Sequence, residues 1–226
     1  MQLLKSMPCG QRGETLMGLL VGLVVGLIVL GGASLVYLGA ARANATTLQI
    51  SRTNQELKAI MDVIIRDIRR AGRSPEAIHC IGGVSCTNSF ADGGEDWTLT
   101  TSQIDFTYDR NGNGSQDSNE CYGFRRVEES AIGRIEMKTS CTPTWQALSA
   151  PNSAHISSFA LTDEIRCEAA GSRQLAIRKI RIYLEAESGG VMRRMCQNIR
   201  LKNDAIVDSC AETNFSNSAP FNNCPA

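Results

Sequence analysis

The chain has 226 residues, with Lys plus Arg equal to Asp plus Glu at 23 each, and nine cysteines. That balance gives no global field to attract nucleic acid or acidic partners, so no specific nucleic-acid partner is expected. Roughly 150 residues follow the first apolar and amphipathic stretch, which is room for one globular domain with no need of two.

In chain order, a short basic leader, residues 1–13, carries Lys5 and Arg12. Residues 16–41 then contain no charged side chain. As a helix that run is ~39 Å long, enough to cross a bilayer core of ~30 Å with tilt to spare. The cations on its N-terminal side orient that side inward, with Arg42 on the far side weakening the asymmetry. A secretory signal peptide would have a shorter apolar region followed by a small-residue cut site, and 41–45 is the nearest candidate. Gly18, Gly22 and Gly26 repeat at a four-residue spacing and mark one smooth helical face, which is also what a glycine-tolerant membrane helix shows by default.

Helical periodicity continues beyond the apolar run. Leu57, Ile60, Met61, Ile64 and Ile68 fall at steps of three and four, with Arg52, Glu56, Lys58, Asp62, Arg66 and Arg69 on the other faces. Gly72 after Arg69 and Arg70, with Pro75 beyond, has the chemistry of a helix end. The expected organisation is a leader over 1–13, a transmembrane helix over 14–41, its amphipathic continuation over 42–73, and an extracytoplasmic β-rich domain over 74–226.

Residues 74–97 read as loop. Strands are expected around Ile104, Phe106 and Tyr108, then over 121–127, 132–137 and 156–161, and over 176–186, where Ile180, Ile182, Leu184 and Ala186 alternate with Arg181, Tyr183, Glu185 and Glu187. Ser188-Gly189-Gly190 turns this last strand into a hairpin partner over 191–201. The tail over 203–226 is polar. Helix first and strands afterwards predict an α+β fold in which an antiparallel sheet packs on the amphipathic half of the long helix.

Cys9 lies in the leader. Cys80, Cys86, Cys121, Cys141, Cys167, Cys196, Cys210 and Cys224 all follow the apolar run. An even number confined to that side reads as a disulfide framework in an oxidising compartment. Eight cysteines allow 105 pairings. Proximity in sequence favours Cys80 with Cys86, Cys121 with Cys141, Cys167 with Cys196, and Cys210 with Cys224. No C-x-x-C spacing supports zinc, and His79 and His155 are the only imidazoles.

One stretch carries ligand chemistry. Over 109–120, set against the twelve-residue calcium loop, Asp109, Asn111, Asn113, Asp117 and Glu120 put oxygens at positions 1, 3, 5, 9 and 12. Gly114 supplies the turn at position 6, and Ser115 a carbonyl at position 7. One Ca²⁺ ion is expected here, with modest affinity because only three of the side chains are carboxylates. The alternative is an Asn/Gly-rich turn with solvated acids. The flanks read as strands, so the ion would stiffen one connection rather than open a helix pair. No nucleophile elbow, His-Glu zinc helix or phosphate loop occurs, and His155, in a Ser-rich stretch, reads as a surface side chain; no enzymatic activity is expected. The Arg pairs at 69–70, 125–126 and 193–194 sit among acids and read as solvated faces.

Gln11-Arg12-Gly13 followed by Glu14-Thr15-Leu16-Met17-Gly18 and an apolar helix resembles the prepilin signature of type IV pilins: a basic leader ending in Gly, a cut after it, and a hydrophobic helix. The closing segment, Ile65-Arg66-Asp67-Ile68-Arg69-Arg70-Ala71-Gly72, is similar to the helix end of the PilW branch of minor pilins and of the J-type minor pseudopilins of type II secretion. The chain departs from the pattern at Glu14, where the first residue is usually aromatic or Met, and at Gly18, where the family has Glu. The resemblance implies cleavage by prepilin peptidase between Gly13 and Glu14, N-methylation, and other minor and major pilins as partners. It also implies residence in the inner membrane as a single-pass protein with a periplasmic domain, then on the pilus at the cell surface. It further implies a structural role in priming a type IV pilus or sitting near its tip. A pseudopilin of type II secretion, or a membrane-anchored calcium-binding receptor or adhesin that never polymerises, are the alternatives.

Overall fold

The computed structural model describes residues 16–75, 90, 97–149, 154–202, 205–207 and 209–224. The first element is one helix, α1 (Leu16–Ile68). The chain divides into two compact units within it, at Leu48 and Gln49. In the first unit the described helical residues are almost all exposed, and the helix is long and apolar enough to cross a membrane.

The second unit begins with the amphipathic part of α1. Leu57, Ile60, Met61, Ile64 and Ile68, the five positions expected to form its apolar face, are all buried. The helix ends at Ile68 rather than near residue 72. The Arg70 and Ala71 amides reach back only three residues, to the carbonyls of Asp67 and Ile68, which tightens the last turn. Gly72 takes φ 71°, and its amide leaves the helix to bond the Thr107 carbonyl.

The β-region is antiparallel throughout and divided into two sheets where one was expected. The first has the order β1 (Trp97–Leu99), β2 (Gln103–Thr107), β3 (Cys121–Glu129), β4 (Ile132–Lys138), β5 (Gln146–Ala147). The second joins β6 (His155–Ala170), β7 (Arg173–Ser188) and β8 (Val191–Arg200), with β9 (Ala205–Val207) pairing the first residues of β7. Short β1 and β5 are not among the strands expected from the sequence. Strand β6 is far longer than the 156–161 run expected, because every residue from Ser158 to Ala170 finds a partner on β7.

The sheets meet at a seam of single bonds. Leu161 N donates to Thr101 O, Arg126 Nε to Ile156 O, and Gly133 N to His155 Nδ1. His155 is therefore a half-buried acceptor at the seam, not the surface side chain expected. One apolar core joins the helix face to Ile104, Phe106, Phe124 and Ile135 of the first sheet and to Ile156, Leu161, Ile180, Ile182, Leu184 and Ala186 of the second. Each such side chain is worth about 1.5–3 kcal/mol when fully buried, so this shared core is what holds the second unit together.

Candidate functional site

The 109–120 segment is the connection between β2 and β3, opening past the last register pair, Thr107 and Cys121. Both its ends are tied down. At the entrance Asp109 N donates to Arg73 O at 2.8 Å, just after α1. At the exit a disulfide joins Cys121 to Cys141, and Cys141 N donates to Ser118 O at 2.8 Å.

Within the loop, side-chain oxygens collect backbone amides. Asp109 Oδ1 accepts Gly112 N, and its Oδ2 accepts Gly114 N at 2.8 Å. Glu120 Oε1 accepts the amides of Arg110 and Asn111 at 2.7 and 3.3 Å, and Oε2 that of Asp117 at 3.0 Å. Asn111 Oδ1 accepts Asn113 N, and Asn113 Oδ1 accepts Ser115 N. Gly114, expected to make the sharp turn, has φ 78°. Each of these is a local side-chain-to-backbone bond of the kind Asp and Asn favour in turns.

Asp109 and Glu120 are 1% and 0% exposed, yet neither makes an ion pair among the described residues. Two buried carboxylates satisfied only by neutral amides favour a cation close by. All the side-chain donors on offer are oxygens, the choice of a hard divalent ion. Asp117 is placed differently: its Oδ2 accepts the side-chain amides of Asn111 and Asn113 at 2.7 and 3.0 Å. Among the described residues no three His, Cys, Asp or Glu side chains are gathered closely enough to hold a metal.

The cysteines correct part of the expected framework. Cys121 pairs with Cys141 as expected, but Cys167 pairs with Cys210 and Cys196 with Cys224. Cys167 and Cys196 belong to β6 and β8, and β7 runs between them, where they face Ala176 and Tyr183. Two strand spacings of about 4.8 Å exceed the usual Cα separation of a disulfide. Cys80 and Cys86, like Gly13 and Glu14 of the expected processing site, lie outside the described residues.

The two corrected bridges turn the tail into a strap over the outer face of the second sheet. It starts at Cys210 beside β6, and Thr213 exchanges backbone bonds with Ile165. Next, Phe215 lies under the Arg181 guanidinium at 4.3 Å and Ser216 N donates to Thr162 Oγ1. Phe221 packs on Ala160 and Tyr183, and Cys224 closes onto β8. The strap therefore buries Tyr183, which alternation assigns to a solvated face. Phe215 and Phe221, two aromatics in an otherwise polar tail, are the sequence signal for it.

Beside the strap, Glu185 accepts bonds from the Tyr183 hydroxyl, Arg194 and Ser157. Burial works to raise its pKa, but those three donors outweigh burial and hold the carboxyl below the usual glutamate range. Burial, then the bond to Glu185, pushes the Tyr183 phenol up to about 12.

The chain matches the family described as PpdB: Prepilin peptidase-dependent protein B over residues 46–201, more than half its length. That span takes in the amphipathic part of α1 and strands β1–β8, and stops short of the strap. No curated protein and no solved structure matches it.

Proposed function

The chain belongs to the prepilin peptidase-dependent protein B family, a minor-pilin-like group, and from that premise we propose that it is a minor pilin of the PilW type that primes a type IV pilus or sits near its tip. The observation that carries this reading is one continuous helix whose first part is exposed and apolar while its later part forms one wall of a β-domain core. The exposed part would hold the subunit in the inner membrane and then trade lipid for neighbouring pilin helices, with the β-domain outside the cytoplasm. The role is structural rather than catalytic. Gly18, in place of the carboxylate that the pilin signature has, removes one means of recruiting a following subunit and so favours an end position in the filament.

Calcium belongs to the same proposal. Asp109, Asn111, Asn113, the Ser115 carbonyl, Asp117 and Glu120 would hold one ion, with Asp117 turning from the Asn amides toward the two buried carboxylates. The ion would supply the positive charge that Asp109 and Glu120 lack, and so fix the β2–β3 connection against Arg73 and Cys141.

The test is the N-terminal residue and mass of the membrane-extracted protein, from hosts with and without prepilin peptidase. The expected result is a peptidase-dependent start at Glu14, together with loss or shortening of pili when the gene is deleted. An intact N-terminus in both hosts would sink the pilin mechanism. Normal pili after deletion, with impaired protein secretion, would move the chain to a type II secretion pseudopilus.

A further inference from the structure

The end of α1 carries a groove that the reading above leaves unused. Asp62, Ile65, Arg66, Arg69 and Arg70 line it from the helix and its last turn, and Lys202 from the chain leaving β8. It is an open groove of about 450 Å³. Among the described residues it brings Arg66, Arg69 and Lys202 together beside Asp62, while the Arg70 guanidinium lies over the Tyr108 ring at 6.0 Å. Arg66 reaches Asp67 only at 3.9 Å, and its side chain is 65% exposed. Arg69 and Lys202 are exposed and make no ion pair among the described residues. Burial pushes the Asp67 carboxyl up, against the pull of Arg66 and Arg70.

A helix C-terminus favours cations in its last turn, which accounts for the arginines taken singly. It does not account for Lys202, which a different element brings to the same concavity. Arg66, Arg69 and Lys202 outnumber Asp62 in the described lining, so their mutual repulsion is eased by a further anion among them.

We propose that this groove docks an acidic segment of a partner protein, its carboxylates between the arginines and Lys202 and an apolar side chain on Ile65. The lining selects that chemistry over phosphate polymers. Ile65 is half-buried and offers an apolar contact, while exposed Asp62 in the same lining repels a continuous polyanion but can accept a hydrogen bond from a peptide amide. Among the described residues no aromatic side chain lines the groove to stack a base, and the chain has no net charge to draw in nucleic acid. The docking stands whether or not the chain enters a filament.

The experiment places a photocrosslinking amino acid at position 62 of the full chain in its producing cells, with position 168 on exposed β6 as control. The crosslinked peptide is then identified by mass spectrometry. The expected product is a protein segment of net negative charge. Its yield should fall about tenfold in the double variant Arg66→Glu, Arg69→Glu, and return when two of the captured carboxylates are changed to Lys. Arg66→Gln, Arg69→Gln should give a smaller fall at unchanged thermal stability, which separates lost docking from a damaged helix end. Capture of a neutral or basic segment, of lipid or of nucleic acid overturns the proposal. So does a yield indifferent to charge reversal, or no product above that from position 168.

Discussion

The Glu120 carboxylate accepts the Arg110 amide at 2.7 Å, closing the β2–β3 connection on its own last side chain. Asp109 and Glu120 thus spend their oxygens on the backbone, whereas Asp117 bonds only side-chain amides through its carboxylate and, in the calcium site proposed above, would be the ligand free to turn. Calcium is expected to stabilise the full chain by about 2.7 kcal/mol when the free ion is a hundredfold above the dissociation constant, read as a higher melting temperature. Asp117→Asn should melt like the parent in chelator and lose most of the calcium-dependent gain. Calorimetric titration with CaCl₂ and melting in EGTA check both.

Peptide mapping without reduction should recover Cys167 linked to Cys210 and Cys196 linked to Cys224. Releasing the far end of the strap, with Cys196→Ser and Cys224→Ser together, should cost about 2–4 kcal/mol in denaturant unfolding. It should also speed hydrogen exchange at the Ser216 and Phe221 amides, which bond Thr162 and Ser218.

Where one local rule dominates, the sequence is a reliable guide. The helix face from Leu57 to Ile68 and the apolar set Ile180, Ile182, Leu184 and Ala186 each follow from one period, and both are buried as expected. The Gly189-Gly190 hairpin, with φ of 59° and 77°, follows from the residues a tight turn demands. The loop over 109–120 is legible as donors and spacing, but which amides those donors accept is not. What stayed hidden depends on contacts distant in sequence: the split into two sheets rests on seam bonds such as Arg126 to Ile156. The pairing of Cys196 with Cys224 depends on which strand lies between β6 and β8, a fact of topology that proximity in sequence does not carry.

Ser130 and Ala131 connect β3 to β4 with φ of 52° and 64°, a left-handed pair built without glycine or asparagine. An L-residue pays about 1–2 kcal/mol in that region. Ser130→Asn with Ala131→Gly should therefore stabilise the domain by about 1 kcal/mol or more, read as a higher urea midpoint at unchanged slope.

Gly133 has a different constraint. A Cβ built there would lie 2.0 Å from the Ile156 carbonyl oxygen, a backbone atom at the sheet seam. Gly133→Ala must push the sheets apart and weaken the bonds from Arg126 Nε and Gly133 N across the same seam. A loss of about 1–3 kcal/mol is expected, and a melting temperature equal to the parent's would show that the seam yields freely.

Tyr183 and Glu185 give the second sheet opposite responses at the two ends of the pH scale. With its phenol held up to about 12 in the fold against an ordinary 10.0, Tyr183 contributes stability that is complete below pH 10 and is lost as pH climbs toward 12, because the unfolded phenol ionises first. Glu185, held below the ordinary glutamate value, contributes stability that is complete above that value and disappears as pH falls through its folded one. Tyr183→Phe should flatten the alkaline limb and, by removing one of three donors to Glu185, shrink the acid limb as well. Arg194→Met removes another donor and should shrink the acid limb while leaving most of the alkaline loss in place. Denaturant midpoints for the parent and both variants across the two limbs test the coupling, and an acid limb unchanged in both would remove Glu185 from the account.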